Sequence, residues 1–435
     1  MDQNGRLGPV SGSARIRQVD ILRGVALLGI LIINIEYFAY PEETLFDPSR
    51  IGGFEGLDFW VWRLKTWFFS QKMMSIFSML FGAGLILMAA RAEEAGKPFR
   101  KIYYRRTLLL IVFGLMHAYL LWFGDILFAY GVCGLVIYLF RRKSPRTLVI
   151  IAVVSFLIGA VIMLGAGNMI NFMRNTAEEA TELTAQGEEL SSLQASMMEA
   201  WSEIKVEFNP TQDKLQKSIE IYGNGSFVEI FKKRAVQSLT MQTQAFLFMI
   251  LWQVLGLMLL GMALLKAKVI TGERSIRFYT IQAVIGLSVG LGLSILAAEM
   301  QIGGGFDMID YFRGGGPIMM FASAVAAIGY IGLIMLISKT DTRGFIKDRL
   351  AAVGRMALTN YLLQSIVCTT IFYSYGLGLF GEVNRAPAML IVFGVWIIQL
   401  LYSKWWLERY KFGPVEWLWR SLTYGKKQPF KQATA

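Results

Sequence analysis

The sequence predicts an all-α fold, a polytopic membrane protein of about ten transmembrane helices, counted as apolar runs able to cross a hydrocarbon core of about 30 Å. Three observations carry this. The residues are 55% hydrophobic and only 17% charged, with a mean hydropathy of +0.48, whereas soluble domains carry charge on about a quarter of their residues. Apolar runs recur along the whole length. The loops between them alternate, one rich in lysine and arginine and the next poor, and the positive-inside rule puts the rich ones in the cytoplasm. Both termini then lie in the cytoplasm. The formal net charge of +12 reads as a topogenic signal, so no nucleic-acid partner is expected. Cys133 and Cys368 sit in apolar runs and His117 is the single histidine. Neither a disulfide framework nor a metal site is expected.

Residues 1–18 form a polar cytoplasmic tail. The N-terminal transmembrane half, residues 19–167, holds five expected spans at 21–38, 73–90, 107–123, 126–140 and 148–167. The first has no small-residue cleavage site behind it and reads as a retained anchor. An acidic connector over 36–58 and an aromatic interfacial helix over 59–69 separate it from the second. Residues 168–244 are the one long hydrophilic stretch, placed outside the cell. There Leu190, Leu193, Met197, Trp201, Ile204 and Phe208 recur at helical spacing, which predicts an amphipathic helix. The C-terminal half, residues 245–403, holds five more spans at 245–265, 278–298, 317–337, 357–378 and 388–403. Residues 404–435 form a basic cytoplasmic tail whose Trp405, Trp406, Trp417 and Trp419 suit an interface, with Pro414 near a helix start.

The candidate chemistry centres on the hairpin 113–130. It carries His117 inside an apolar helix and Asp125 in the tight connection that follows. Ionisable groups in so apolar a setting are costly and mark function by default. The plain alternative is a histidine bonded to a backbone carbonyl to help two helices pack. The functional reading expects His117 in a polar cavity open to the outer side, within hydrogen-bond reach of Asp125. On the first span Arg23, Leu27, Ile30 and Asn34 share a stripe. Arg23 stands one turn after Asp20, a spacing that lets them pair; otherwise its guanidinium reaches the headgroups. Asn360 and Gln364 make a polar stripe suited to interhelical hydrogen bonds. There is no P-loop and no G-x-S-x-G elbow.

Four stretches carry a resemblance. R-Q-V-D-I-L-R-G-V-A-L-L-G-I-L-I-I-N-I (17–35), G-L-M-H-A-Y-L-L-W-F-G-D-I-L-F-A-Y-G (114–131), G-R-M-A-L-T-N-Y-L-L-Q-S (354–365) and G-P-V-E-W-L-W-R-S-L-T-Y-G (413–425) resemble the YeiB-type family of bacterial inner-membrane proteins, a family without an assigned activity. Its first-helix pattern, an arginine–glycine pair with an asparagine further on, is similar to that of transmembrane acyltransferases. Those include the heparan glucosaminide acetyltransferase and bacterial sugar O-acyltransferases, which take an acyl group from cytoplasmic acyl-CoA to an acceptor across the membrane. In the acetyltransferases a working histidine follows the first helix. Here that place reads Asn34-Ile35-Glu36-Tyr37-Phe38, and the candidate is His117.

The resemblance implies a multi-pass protein of the cell inner membrane that transfers an acyl group from acyl-CoA to an extracytoplasmic small-molecule or glycan acceptor. Arg23, with Arg105 or Arg106, would take the CoA phosphates at the inner mouth. His117 would be the base, Asp125 would fix its tautomer, and Asn34 would donate to a developing oxyanion. Membrane lipids are the other expected partners, and whether two copies pair as a homodimer stays open. The alternative is a transporter or flippase for a small or amphiphilic substrate, with His117 and Asp125 as a proton relay. A third reading is a scaffold in which Arg23 and His117 only pack.

Overall fold

The computed structural model describes residues 16–96, 98–340 and 344–432, so the expected tail 1–18 lies outside the described residues except for 16–18. Among the described residues the regular structure is helical, apart from one isolated bridge between Tyr410 and Lys431. The order is α1 (Arg17–Ala39), α2 (Gly56–Phe68), α3 (Lys72–Glu94), α4 (Arg100–Leu120), α5 (Leu127–Ile137), α6 (Pro145–Ala185), α7 (Ser192–Phe208), α8 (Gln212–Asn224) and α9 (Phe227–Thr240). It continues with α10 (Leu251–Lys266), α11 (Ile276–Gly303), a short α12 (Met308–Asp310), α13 (Gly316–Lys339), α14 (Phe345–Arg355), α15 (Ala357–Phe372), α16 (Arg385–Arg409) and α17 (Pro414–Tyr424).

Local sequence explains many of the boundaries. Ser144 caps α6 by accepting from the Thr147 amide, with Pro145 in the first turn, where a missing N–H costs nothing. Capping boxes open α7 (Ser191 with Gln194) and α9 (Ser226 with Glu229), each satisfying two orphan amides reciprocally. Gly425 ends α17 in the left-handed region at φ 64°, a stop that favours glycine.

Among the described residues, seven helical segments are long and apolar enough to cross a membrane, and two shorter apolar helices, Leu127–Phe140 and Ala357–Phe372, lie among them. The short pair are about 21 and 24 Å long at 1.5 Å per residue, less than the hydrocarbon thickness. The chain is thus an all-helical membrane protein whose spans are less uniform than their hydropathy suggests. The span expected over 148–167 does not stop there. Nothing after Gly167 breaks the helix, and α6 continues for 41 residues, about 60 Å. The amphipathic helix expected near 190–208 is α7. It is followed by α8 and α9, and α9 runs through a π-helical stretch, Met241–Ile250, directly into α10.

The span expected over 357–378 ends at Phe372. Beyond it the chain turns irregular, and its amides find partners in neighbouring segments: Ser374 donates to the Tyr222 carbonyl at 2.7 Å and Gly381 to that of Ala39 at 2.8 Å. Such backbone is tolerated in membrane proteins where protein supplies its hydrogen bonds.

The larger apolar core joins α1, α3, α5, α10 and α13 through Leu22, Ile76, Cys133, Met258 and Ile331. A second cluster, with Leu31, Phe38, Trp122 and Phe372, sits towards the far end of α1. Where α1 meets α14, glycine is obligatory. A Cβ on Gly24 would run into the Leu350 carbonyl, and one on Gly354 into that of Asp20. The arginine–glycine pair of the first helix therefore has a packing meaning: Gly24 lets α14 press against the turn that carries Asp20 and Arg23.

Candidate functional site

His117 lies near the end of α4, 2% exposed. Its Nδ1 is 2.8 Å from Asp125 Oδ1, and its Nε2 is 2.8 Å from Ser365 Oγ on α15. Asp125 is itself fixed, because its Oδ2 accepts from the Phe128 amide at 2.7 Å and so caps the first turn of α5. The carboxylate can only accept there, so Nδ1 carries a proton, and in the neutral ring the Nε2 lone pair then faces Ser365 Oγ–H. The hairpin is tight because of Gly114, one turn before His117. A Cβ at that position would run into the Phe128 amide and stand 2.8 Å from Asp125 Oδ2. Around the imidazole, Tyr361 packs at 5.0 Å between ring centroids and Trp122 at 6.1 Å.

The expected pairing of His117 with Asp125 is therefore present, whereas the expected cavity open to one side is not. The three polar groups are enclosed, with Ser365 1% exposed and the Asp125 side chain equally buried. The lid over this end is α9. Arg234 donates from Nε to the Tyr119 carbonyl at 3.0 Å and from Nη1 to the Leu121 carbonyl at 3.1 Å. Ser238 Oγ donates to the Ala118 carbonyl at 3.0 Å. Together they satisfy three of the carbonyls around the end of α4.

Ser365 was not among the candidates that the sequence offered. It stands 248 positions from His117, in mid-helix and without a nucleophile-elbow motif. The available signal was the polar stripe beside it. Asn360 Nδ2 donates to Ser403 Oγ at 2.9 Å, and Gln364 Nε2 to Gln399 Oε1 at 3.0 Å. Those bonds tie α15 to α16 as interhelical glue and fix which way Ser365 points.

Of the three expected cations, Arg23 and Arg106 come together. Arg23 pairs with Asp20 at 3.2 Å, as the spacing predicts. Arg23 and Arg420 both lie close enough to Arg106 for their charges to interact. The Arg106 guanidinium lies over the Trp419 ring at 3.8 Å, and Trp419 Nε1 donates to the Arg106 carbonyl at 3.1 Å. Arg105 stands beside Gly425 at the end of α17. This basic cluster, which α17 completes, is at the opposite end of α4 from His117, about 16 Å along the helix axis at 1.5 Å per residue. Asn34 stands half-buried on α1 and is not one of the partners bonded to His117.

Two further buried ionic features escaped the sequence reading. Glu36 pairs with Lys65 and with Arg385 Nε, the latter at 2.7 Å. Arg385 also donates to the carbonyls of Pro48 at 2.6 Å and Ile51 at 2.8 Å, so this trio pins the connector after α1. Lys72, fully buried at the break between α2 and α3, donates to the Thr66 carbonyl at 2.9 Å.

Fold and site together define a helical membrane protein with an enclosed, hydrogen-bonded line of serine, histidine and aspartate at one end and an arginine cluster at the other. The chain belongs to the family described as "Protein of unknown function (DUF418)", whose model matches residues 264–426. It is 33% identical to "Uncharacterized protein YxaH" of Bacillus subtilis (strain 168), over 98% of this chain and 99% of that one. To "Uncharacterized protein YeiB" of Escherichia coli (strain K12) it is 31% identical, over 93% of this chain and 95% of that one. No solved structure matches.

Proposed function

We propose that the protein is a transmembrane acyltransferase of the bacterial inner membrane, moving an acyl group from cytoplasmic acyl-CoA to a hydroxyl or amine on an extracytoplasmic small molecule or glycan. The observation that carries this is the hydrogen-bonded line from Asp125 through His117 to Ser365, with 2.8 Å on either side of the imidazole. A neutral imidazole held in one tautomer by a buried carboxylate is suited to proton transfer near neutral pH. The arginine cluster supports the donor end. Arg23 and Arg420 lie near enough to Arg106 for their charges to interact, and guanidinium forks match a phosphate in geometry. Arg23, Arg105 and Arg106 are the groups assigned to hold the donor phosphates. Asn34 keeps the role of oxyanion donor. Loop charge puts the cluster on the cytoplasmic side and the relay in the outer half.

The test is turnover by purified full-length protein in lipid nanodiscs. Acetyl-CoA and palmitoyl-CoA are offered with an extract of periplasmic glycans, and release of the CoA thiol is followed. His117→Gln should keep donor binding and lose about 10²–10⁴-fold in rate, the usual contribution of a placed base. Lys72 favours the transport reading, since ionisable groups inside membrane segments mark ion and proton pathways and interrupted helices build carrier sites. Proton uptake by proteoliposomes that depends on His117, without any thiol release, would decide for transport.

A further inference from the structure

We propose that Ser365 is a nucleophile and that transfer proceeds in two steps, with the acyl group held as an ester on Ser365 Oγ between donor and acceptor. This rests on the acyl-transfer reading above and adds a covalent intermediate to it. A base that served an incoming acceptor directly would present its Nε2 to that acceptor. Here Nε2 is covered by Ser365 Oγ at 2.8 Å, while the other partner of the hydroxyl, the Tyr361 carbonyl, is at 3.4 Å, beyond the usual range for a hydroxyl donor. The hydroxyl proton therefore points at the imidazole. That is the relation by which a histidine activates a serine, and Asp125 completes it from the far side of the ring.

Enclosure argues the same way. Ser365 is 1% and His117 2% exposed, so a substrate reaches the hydroxyl only by displacing its cover, and one substrate at a time displaces less of it than two together. The proposed donor cluster and the outer acceptor also approach from opposite ends of α4. Consecutive visits, with the acyl group parked on α15 in between, satisfy both conditions.

The steps balance. In the first, Ser365 Oγ bonds to the thioester carbonyl carbon and the C–S bond breaks. The serine proton passes through His117 Nε2 to the departing sulfur, which leaves as the CoA thiol. In the second, the acceptor oxygen or nitrogen bonds to the ester carbon and gives its proton to Nε2. The bond from carbon to Oγ then breaks, and the proton returns to Ser365. No oxidant or additional reactant is needed.

The experiment has two arms, both on full-length protein in nanodiscs. The first treats it with a small fluorophosphonate and maps the adduct by peptide mass spectrometry. Ser365 should be labelled, with labelling slowed about 10²-fold or more in His117→Gln. No adduct at Ser365 in wild-type protein that melts as a folded species refutes the nucleophile. The second arm supplies acetyl-CoA or palmitoyl-CoA without acceptor. Wild type should release one burst of thiol and retain the acyl group on the Ser365 peptide. Ser365→Cys, which keeps a nucleophile in place, should hold it as a thioester that hydroxylamine removes. Ser365→Ala that still transfers at the wild-type rate refutes the covalent step while leaving acyl transfer intact. Fluorophosphonate labelling of Ser365 with no cleavage of either thioester upholds the nucleophile and rejects CoA thioesters as donors.

Discussion

Asp125→Asn isolates what the carboxylate does for His117, because the substitution preserves shape and changes only hydrogen-bond polarity. In wild type both Asp125 oxygens accept, one from Nδ1–H at 2.8 Å and the other from the Phe128 amide at 2.7 Å. Asparagine has one oxygen for these two donors. If that oxygen stays on the Phe128 amide, keeping the cap of α5, the NH2 group faces Nδ1 and forces it to accept. The imidazole proton then moves to Nε2, and Ser365 Oγ must accept where it had donated. The relay is inverted with hardly any atom displaced. Hydrogen bonds to a charged group are worth about 1.5–3 kcal/mol, so the fold should survive with a loss no larger than that, read by thermal unfolding in detergent. Turnover should fall by about 10²–10⁴-fold, because a base in the wrong tautomer is lost as a base. The assay is CoA thiol release in nanodiscs across a range of pH. A variant within a few-fold of wild type at every pH would refute the reasoning and leave Asp125 as a helix cap alone.

Four other expectations follow from particular contacts. Arg23→Lys should weaken acyl-CoA binding by about 10- to 140-fold, the equivalent of one charge-assisted hydrogen bond; unchanged affinity with lower expression would make Arg23 a packing partner of Asp20. Gly354→Ala should destabilise by about 1–3 kcal/mol through overpacking, measured by melting temperature, whereas Gly84→Ala, with nothing within 4 Å of its Cβ, should not destabilise. Glu416 on α17 accepts from the Leu358 and Thr359 amides at 2.7 and 3.0 Å, and burial nonetheless pushes its carboxyl above the ordinary value of 4.5. With the folded value raised, its contribution to stability is complete below that ordinary value and is lost as pH rises through the raised one. Docking of α17 should therefore weaken on that rise, and Glu416→Gln should flatten the pH dependence of melting. Reporter fusions after Gly96, Lys143 and Lys427 should report cytoplasm and one near Gly187 the outside; a cytoplasmic signal at Gly187 would reverse the sidedness of the proposed donor and acceptor ends.

The sequence by itself determined the class of the protein and the local half of its site. Hydropathy over windows the length of a span needs no tertiary information, so most apolar runs reappear as helices. The end of 148–167 was misplaced because a helix stops at a breaker, and hydropathy marks only where the chain leaves an apolar environment. His117 with Asp125, and Arg23 with Asp20, were legible because each pair is close in sequence. A turn or a tight hairpin limits their separation to a few ångströms whatever surrounds them. Only the tertiary structure decided the rest. Ser365 reaches His117 because Asn360 and Gln364 bond to α16 and fix the rotation of α15, which no pattern within that helix specifies. Arg420 and Trp419 come to Arg106 because α17 folds back across α4. The pairing of Glu36 with Lys65 and Arg385 likewise joins three distant segments. In each case the deciding quantity is the angle at which one helix faces another. That angle is set by the close approach of glycines such as Gly24, Gly114 and Gly354 and by buried hydrogen bonds, not by the periodicity of either helix alone.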